Sequence, residues 1–158
     1  MTDLSHLTEG KAVTTKTMFS RETAVWITIF ADPTIIWSLL TNGADYARWN
    51  NTILSLEGDI RPGETLKLKS TLDEKRTFTL KVKEMEPERR LVWGDNQGSR
   101  EYMLEKSQTE GVIFTMREKI GGLFFPLFAR FIPPFDESFE QFAADLKHEA
   151  EAIQNDKS

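Results

Sequence analysis

Three side chains capable of polar chemistry fall on a strand face that is otherwise large and apolar. In the run from Arg100 to Glu105, Arg100, Tyr102 and Leu104 alternate with Glu101, Met103 and Glu105. From Val112 to Lys119, Val112, Phe114, Met116 and Glu118 alternate with Ile113, Thr115, Arg117 and Lys119. A strand sends successive side chains to opposite faces, so Arg100, Tyr102 and Glu118 point the same way as Leu104, Phe114 and Met116. A lone charge cannot be buried there without a cost of several kcal/mol, so a partner or water must meet it. One arrangement that meets this demand is an Arg100–Glu118 ion pair near a rim of the sheet. The other is a polar anchor in an apolar cavity, orienting a ligand carboxylate, phenol or carbonyl. The same three groups are the candidates for catalysis, where they would stabilise an enolate or move a proton.

Other chemistries have little to draw on. The chain has 158 residues, no cysteine and only two histidines, His6 and His148. Thiolate metal sites and disulfides are excluded, a histidine-based metal site or triad is poorly supplied, and neither metal nor cofactor is expected. His148, between Lys147 and Glu149, reads as a surface residue. The carboxylates Glu84, Glu86 and Glu88 surround Pro87 and read as a solvated turn. A formal net charge of −5 argues against nucleic acid, and Lys81, Lys83, Arg89 and Arg90 lack the interleaved aromatics that stack on bases. No stretch reaches the roughly 18 apolar residues of a membrane span, and the first residues lack a signal pattern. A cytoplasmic protein is the expectation, as a monomer or a homodimer.

Elements that position these groups follow from periodicity and turn signals. Phe135, Phe139, Phe142, Leu146 and Ile153 recur at helical spacing, with Pro133 and Pro134 before the first turn and Asp136 and Glu137 at its positive end. That predicts a helix from Phe135 to Ile153, about 30 Å long and able to lie along a strand. Glu22–Phe30 reads as a strand, and Asp32 then caps a short helix carrying Ile35, Ile36, Leu39 and Leu40. A second short helix is expected over Ala44–Arg48. Strands follow at Thr52–Glu57, Thr65–Leu72, Thr77–Lys83, around Leu91 and Trp93, and in the two runs already described. The segment LFFPLFARFI, Leu123 to Ile132, is open to three readings: a lid, a satellite core, or a surface patch for a partner. Residues 1–19 are expected to be a flexible arm, 20–154 a single domain and 155–158 a tail.

The order strand, two short helices, about six strands and a long helix makes an α+β domain of about seven strands, β-α-α-β6-α. A curved antiparallel sheet wrapped around the long carboxy-terminal helix gives all these faces one core. At this point the sequence resembles the START-like SRPBCC superfamily, in particular its polyketide cyclase/dehydrase-like and lipid-transport-like members with a helix-grip fold. The resemblance is carried by ITIFADPTIIWSLLTNGADYARWN, EGDIRPGETLKL, MEPERRLVW and GVIFTMREKIGG ahead of FAADLKHEAE. It implies a deep cavity between sheet and helix but no shared catalytic motif, so it supplies a container rather than a reaction.

The cavity wall is expected to draw on Trp49, Leu68, Ser70, Phe78, Leu80, Trp93, Phe114, Met116 and Phe128, on the helix residues Phe139, Phe142 and Leu146, and on Arg100, Tyr102 and Glu118. The preferred function is non-enzymatic binding, transport or sequestration of a small hydrophobic or amphipathic molecule. The alternatives are a cyclase or dehydratase, and a protein-interaction domain resembling the chaperone regulators that share this fold.

Overall fold

Eight strands and one long helix carry the architecture of this computed structural model, which describes residue 4 and residues 6–157. The strands are β1 (Val13–Lys16), β2 (Ser20–Ile29), β3 (Ile53–Glu57), β4 (Thr65–Ser70), β5 (Asp73–Glu86), β6 (Arg90–Gly94), β7 (Gly98–Lys106) and β8 (Val112–Gly121). They form one antiparallel sheet in the order β1-β2-β8-β7-β6-β5-β4-β3. The helices are α1 (Pro33–Thr41), α2 (Tyr46–Trp49), α3 (Phe125–Phe128) and α4 (Asp136–Asp156), with 3-10 turns at Gly43–Asp45 and Ala129–Phe131.

Local chemistry explains where these elements begin. The Asp32 carboxylate accepts a hydrogen bond from the Thr34 amide at 2.9 Å, and Pro33 fills the first helical position, where its missing N–H costs nothing. Asn42 ends α1, and the Tyr46 hydroxyl reaches back to the Leu40 carbonyl at 2.5 Å, tying α2 to α1. Helix α4 starts after Pro133 and Pro134 and buries Phe139, Phe142, Ala143, Leu146 and Ala150 against the sheet. Register shifts between Leu68 and Ser70 and between Val82 and Glu84 bend β4 and β5, as bulges do, and help the sheet curl round the helix.

The eighth strand departs from the sequence reading, which assigned its residues to the arm. Val13–Lys16 pairs antiparallel with Arg21–Ala24, and the Ala12 amide donates to Glu140 of α4 at 2.9 Å. Upstream, the Trp26 indole donates to the Leu7 carbonyl at 3.0 Å, and the Leu7 side chain is buried. The run VTTK carries only one apolar residue, so its alternation was invisible although its backbone completes the sheet edge. Residues 1–3 and 5 of the expected arm and residue 158 of the expected tail lie outside the described residues.

The core sits between the concave face and α4. Tyr102, Phe114 and Phe142 pack in a triangle, Tyr102 lying 6.0 Å from Phe114 and 5.3 Å from Phe142 and those two 6.3 Å apart, and Trp93 meets Tyr102 edge-on at 5.2 Å. Trp49 packs on Phe142 at 5.8 Å, and Leu146 and Met116 are buried in the same cluster. That half of the sheet is full.

A candidate binding cavity at the amino end of the long helix

Space remains where α4 begins. A cavity of about 190 Å³, open on one side, lies between the first turn of α4 and the near ends of β4 to β8. Leu68 and Ser70 of β4, Phe78 and Leu80 of β5 and Trp93 of β6 supply one wall. Opposite them stand Ile132, Pro133, Phe135 and Ser138, at the junction between α3 and α4. The strand alternation that sends Leu66 and Leu68 inward continues to Ser70, so a short polar side chain stands at the end of the row where a large one would fill the space. The turn joining β6 to β7 is narrow for a related reason. A Cβ on Gly94 would lie 2.1 Å from the Gly98 carbonyl oxygen, so bare backbone forms that part of the rim.

Arg100 and Glu118 meet inside this cavity. They are direct partners across β7 and β8, and the Arg100 Nε donates to the Glu118 carboxylate at 2.8 Å. The Arg100 side chain is only 12% exposed, and its guanidinium lies 5.1 Å from the centre of the Phe139 ring. Burial opposes its charge, but Glu118 and Tyr102 outweigh that and leave the group more basic than usual. The Tyr102 hydroxyl lies close enough to feel the Arg100 charge but falls short of hydrogen-bond geometry, so its oxygen is buried without a partner among the described residues. Burial pushes the Tyr102 phenol up to about 12 against the opposing pull of Arg100.

A second arginine stands behind the wall. Arg21 of β2 is buried, donates to the Ile132 and Pro133 carbonyls at 3.2 and 2.8 Å, and lies 4.5 Å from the Phe135 ring. Burial lowers its basicity, and Glu118 and Asp136 partly restore it. Glu118 thus sits in the field of two arginines. At the mouth, Arg76 lies 4.4 Å from the Phe78 ring, while Asp95 turns inward on its own loop and accepts from the Gln97 and Gly98 amides at 2.8 and 3.1 Å.

Of the residues expected to line a cavity, Leu68, Ser70, Phe78, Leu80, Trp93, Arg100 and Glu118 do so. Trp49, Tyr102, Phe114, Met116, Phe142 and Leu146 lie in the packed core instead, and Phe139 is buried beneath Arg100. Phe128 meets Phe125 edge-on at 5.6 Å, away from the cavity. The α4 side is therefore represented by Phe135 and Ser138, at its very start. Sequence reasoning missed Ser138 and the loop residues Phe131, Ile132 and Pro133, because irregular backbone carries no periodicity to assign a direction. The segment from Leu123 to Ile132 divides: Phe125 is buried and Ile132 packs against the core, whereas Leu123, Phe124, Leu127 and Phe131 are exposed. Among the described residues no group of three His, Cys, Asp or Glu side chains converges on a metal position, and no helix is long and apolar enough to cross a membrane.

Solved structures share this architecture at low sequence identity. A conserved protein of unknown function from Enterococcus faecalis superposes with a TM-score of 0.64 at 13% identity, over 94% of this chain and 80% of that one. A Rhodobacter sphaeroides protein reaches 0.65 at 18% identity, over 90% and 99% of the two chains. A START superfamily protein from Mycobacterium smegmatis reaches 0.61 at 14%, over 84% and 98%. At such identities the likeness shows the fold alone. None of the curated proteins matches the chain. The START-like SRPBCC resemblance and the helix-grip architecture agree with these neighbours, and a sequence model narrows the placement. Because that model matches residues 31–148, from just before the cap of α1 to past the middle of α4, the chain belongs to the family described as Activator of Hsp90 ATPase homolog 1-like protein.

Proposed function

We propose that the chain binds a small amphipathic molecule in the cavity at the amino end of α4. The observation that carries this reading is a one-sided opening onto an apolar wall with a buried ion pair at its inner end. Its volume sets the size of the guest. An engineered apolar cavity of about 150 Å³ holds benzene, so about 190 Å³ accommodates one ring or a short branched chain with a polar substituent. A long acyl chain would have to leave through the mouth. A cyclase or dehydratase gains less support, because Arg100 and Glu118 neutralise one another and Tyr102 is sealed behind them.

Ligand-observed NMR against a panel of single-ring compounds, neutral and charged, tests the proposal. Binding is expected for some members and is expected to disappear in Leu80→Trp, which fills the cavity from β5. A panel without any binder, or binding untouched by Leu80→Trp, ends it.

A second reading rests on the exposed Leu123, Phe124, Leu127 and Phe131, a surface suited to a protein partner. The family's description names an activator of the Hsp90 ATPase, so the partner to try is an Hsp90-type ATPase. Turnover of that ATPase should rise when the chain is added and should lose the rise in Leu123→Ser/Leu127→Ser. An unchanged rate removes this reading.

A further inference from the structure

Resting on the cavity reading, we infer that its ligand is a small apolar carboxylate whose ionised group is held by the outward fork of Arg100. An arginine presents five N–H donors in a plane, and a single carboxylate oxygen meeting Nε uses one of them. Glu118 takes that edge at 2.8 Å, and the two Nη groups of Arg100, although near the Tyr102 oxygen, make no hydrogen bond of full geometry among the described residues, while Arg100 lines the cavity. These donors are open to the cavity rather than sealed without a partner, and a second carboxylate arriving there replaces water with a bidentate pair that meets both at once.

Arg76 and Arg100 line the cavity together with Asp73, Asp95 and Glu118, so the lining has no excess of positive charge; Glu118 is itself drawn to both Arg100 and Arg21, which stands behind the wall. Asp136 also feels Arg21, but its carboxylate accepts from the Thr14 hydroxyl on β1 and it does not line the cavity. The wall beside Arg100 is the amino end of a 21-residue helix with no side-chain cap, and the positive end of its dipole favours negative charge. Ser138, on the first turn of that helix, lines the cavity and makes no hydrogen bond among the described residues, leaving its hydroxyl available to the same oxyanion.

The rest of the cavity selects the body of the ligand. Phe78, Leu80 and Trp93 offer an apolar slot, and Ile120 closes it from β8. A flat ring carrying one carboxylate would lie along that slot with its acid on Arg100. A neutral ring would gain the slot and leave the donors unmet. A cationic ring would face Arg100 and Arg21.

Calorimetric titration with 4-methylbenzoate and with 4-methylbenzamide, which have the same shape but differ in charge, separates the possibilities. The wild-type chain is expected to bind the acid at least about tenfold more tightly than the amide. Arg100→Met leaves Glu118 beside Arg21 alone and endangers folding, so Arg100→Met/Glu118→Gln is measured beside it, with circular dichroism to verify the fold. In the folded double variant the preference for the acid should shrink to about twofold or less. Equal binding of acid and amide by the wild type overturns the inference and leaves the cavity reading standing. A preference for the acid that survives in the double variant overturns it as well, since the anchor then lies elsewhere. If neither compound binds while neutral rings from the panel do, the carboxylate is wrong; if nothing binds, the cavity reading falls with it.

Discussion

A buried phenol with no partner is a liability, and Tyr102 shows it at the scale of one residue. Its hydroxyl was desolvated without a hydrogen bond of full geometry in return, its polar neighbour being the Arg100 guanidinium, so Tyr102→Phe removes more penalty than interaction. We expect that substitution to leave stability unchanged or to raise it by up to about 1 kcal/mol in urea denaturation; a loss of more than about 1 kcal/mol would show that the hydroxyl is bonded in solution. The chain has two tyrosines, and burial raises both phenols, Tyr102 to about 12 and Tyr46 well above its ordinary value. Above about pH 10 the unfolded chain releases its phenolic protons while the native chain holds them, so stability falls as pH rises from about 10 toward 12. Phenolate absorbance is therefore expected to appear together with loss of the native circular dichroism and not before it. Alternation along β7 and β8 was enough to bring Arg100 and Glu118 together from the sequence. It could not show that Tyr102, two residues deeper on the same face, lies in solid packing, because alternation reports a side chain's face and is silent about its depth.

Two elements, α4 and the segment before it, divide the apolar residues between core and surface. Phe142 touches Tyr46, Trp49, Tyr102 and Phe114, so Phe142→Ala should cost about 3–5 kcal/mol in chemical denaturation. In the preceding segment Phe125→Ala should also cost stability, since Phe125 is buried beside Phe128, whereas Leu127→Ser, at a side chain 73% exposed, should change stability by less than about 0.5 kcal/mol. Comparable losses at both positions would mean that the segment folds over differently. Helical periodicity made α4 legible, its start at Asp136 falling one residue after the expected Phe135. The segment Leu123–Ile132 was not legible, since α3 is a single turn and the 3-10 turn after it changes the direction of each side chain. Nine apolar letters out of ten, broken by Arg130, do not say which of them face outward.

For the whole molecule, the order of strands and the grip on α4 followed from turn signals and alternation, and the edge strand β1 escaped because backbone pairing alone holds it. The sequence reading placed open space along the length of the helix. Trp49, Phe114, Phe142 and Leu146 fill most of that length, and the cavity survives only where Ser70, Gly94 and Gly98 bring short side chains to the sheet's end beside the start of α4. This position is the central claim. Chemical-shift mapping on the isotope-labelled chain during addition of 4-methylbenzoate tests it most directly. The account expects saturable shifts at Ser70, Leu80, Gln97 to Ser99 and Ser138, with Phe114 and Leu146 unmoved. Shifts confined to the exposed stretch from Leu123 to Leu127, or running along Phe142 and Leu146, would contradict it.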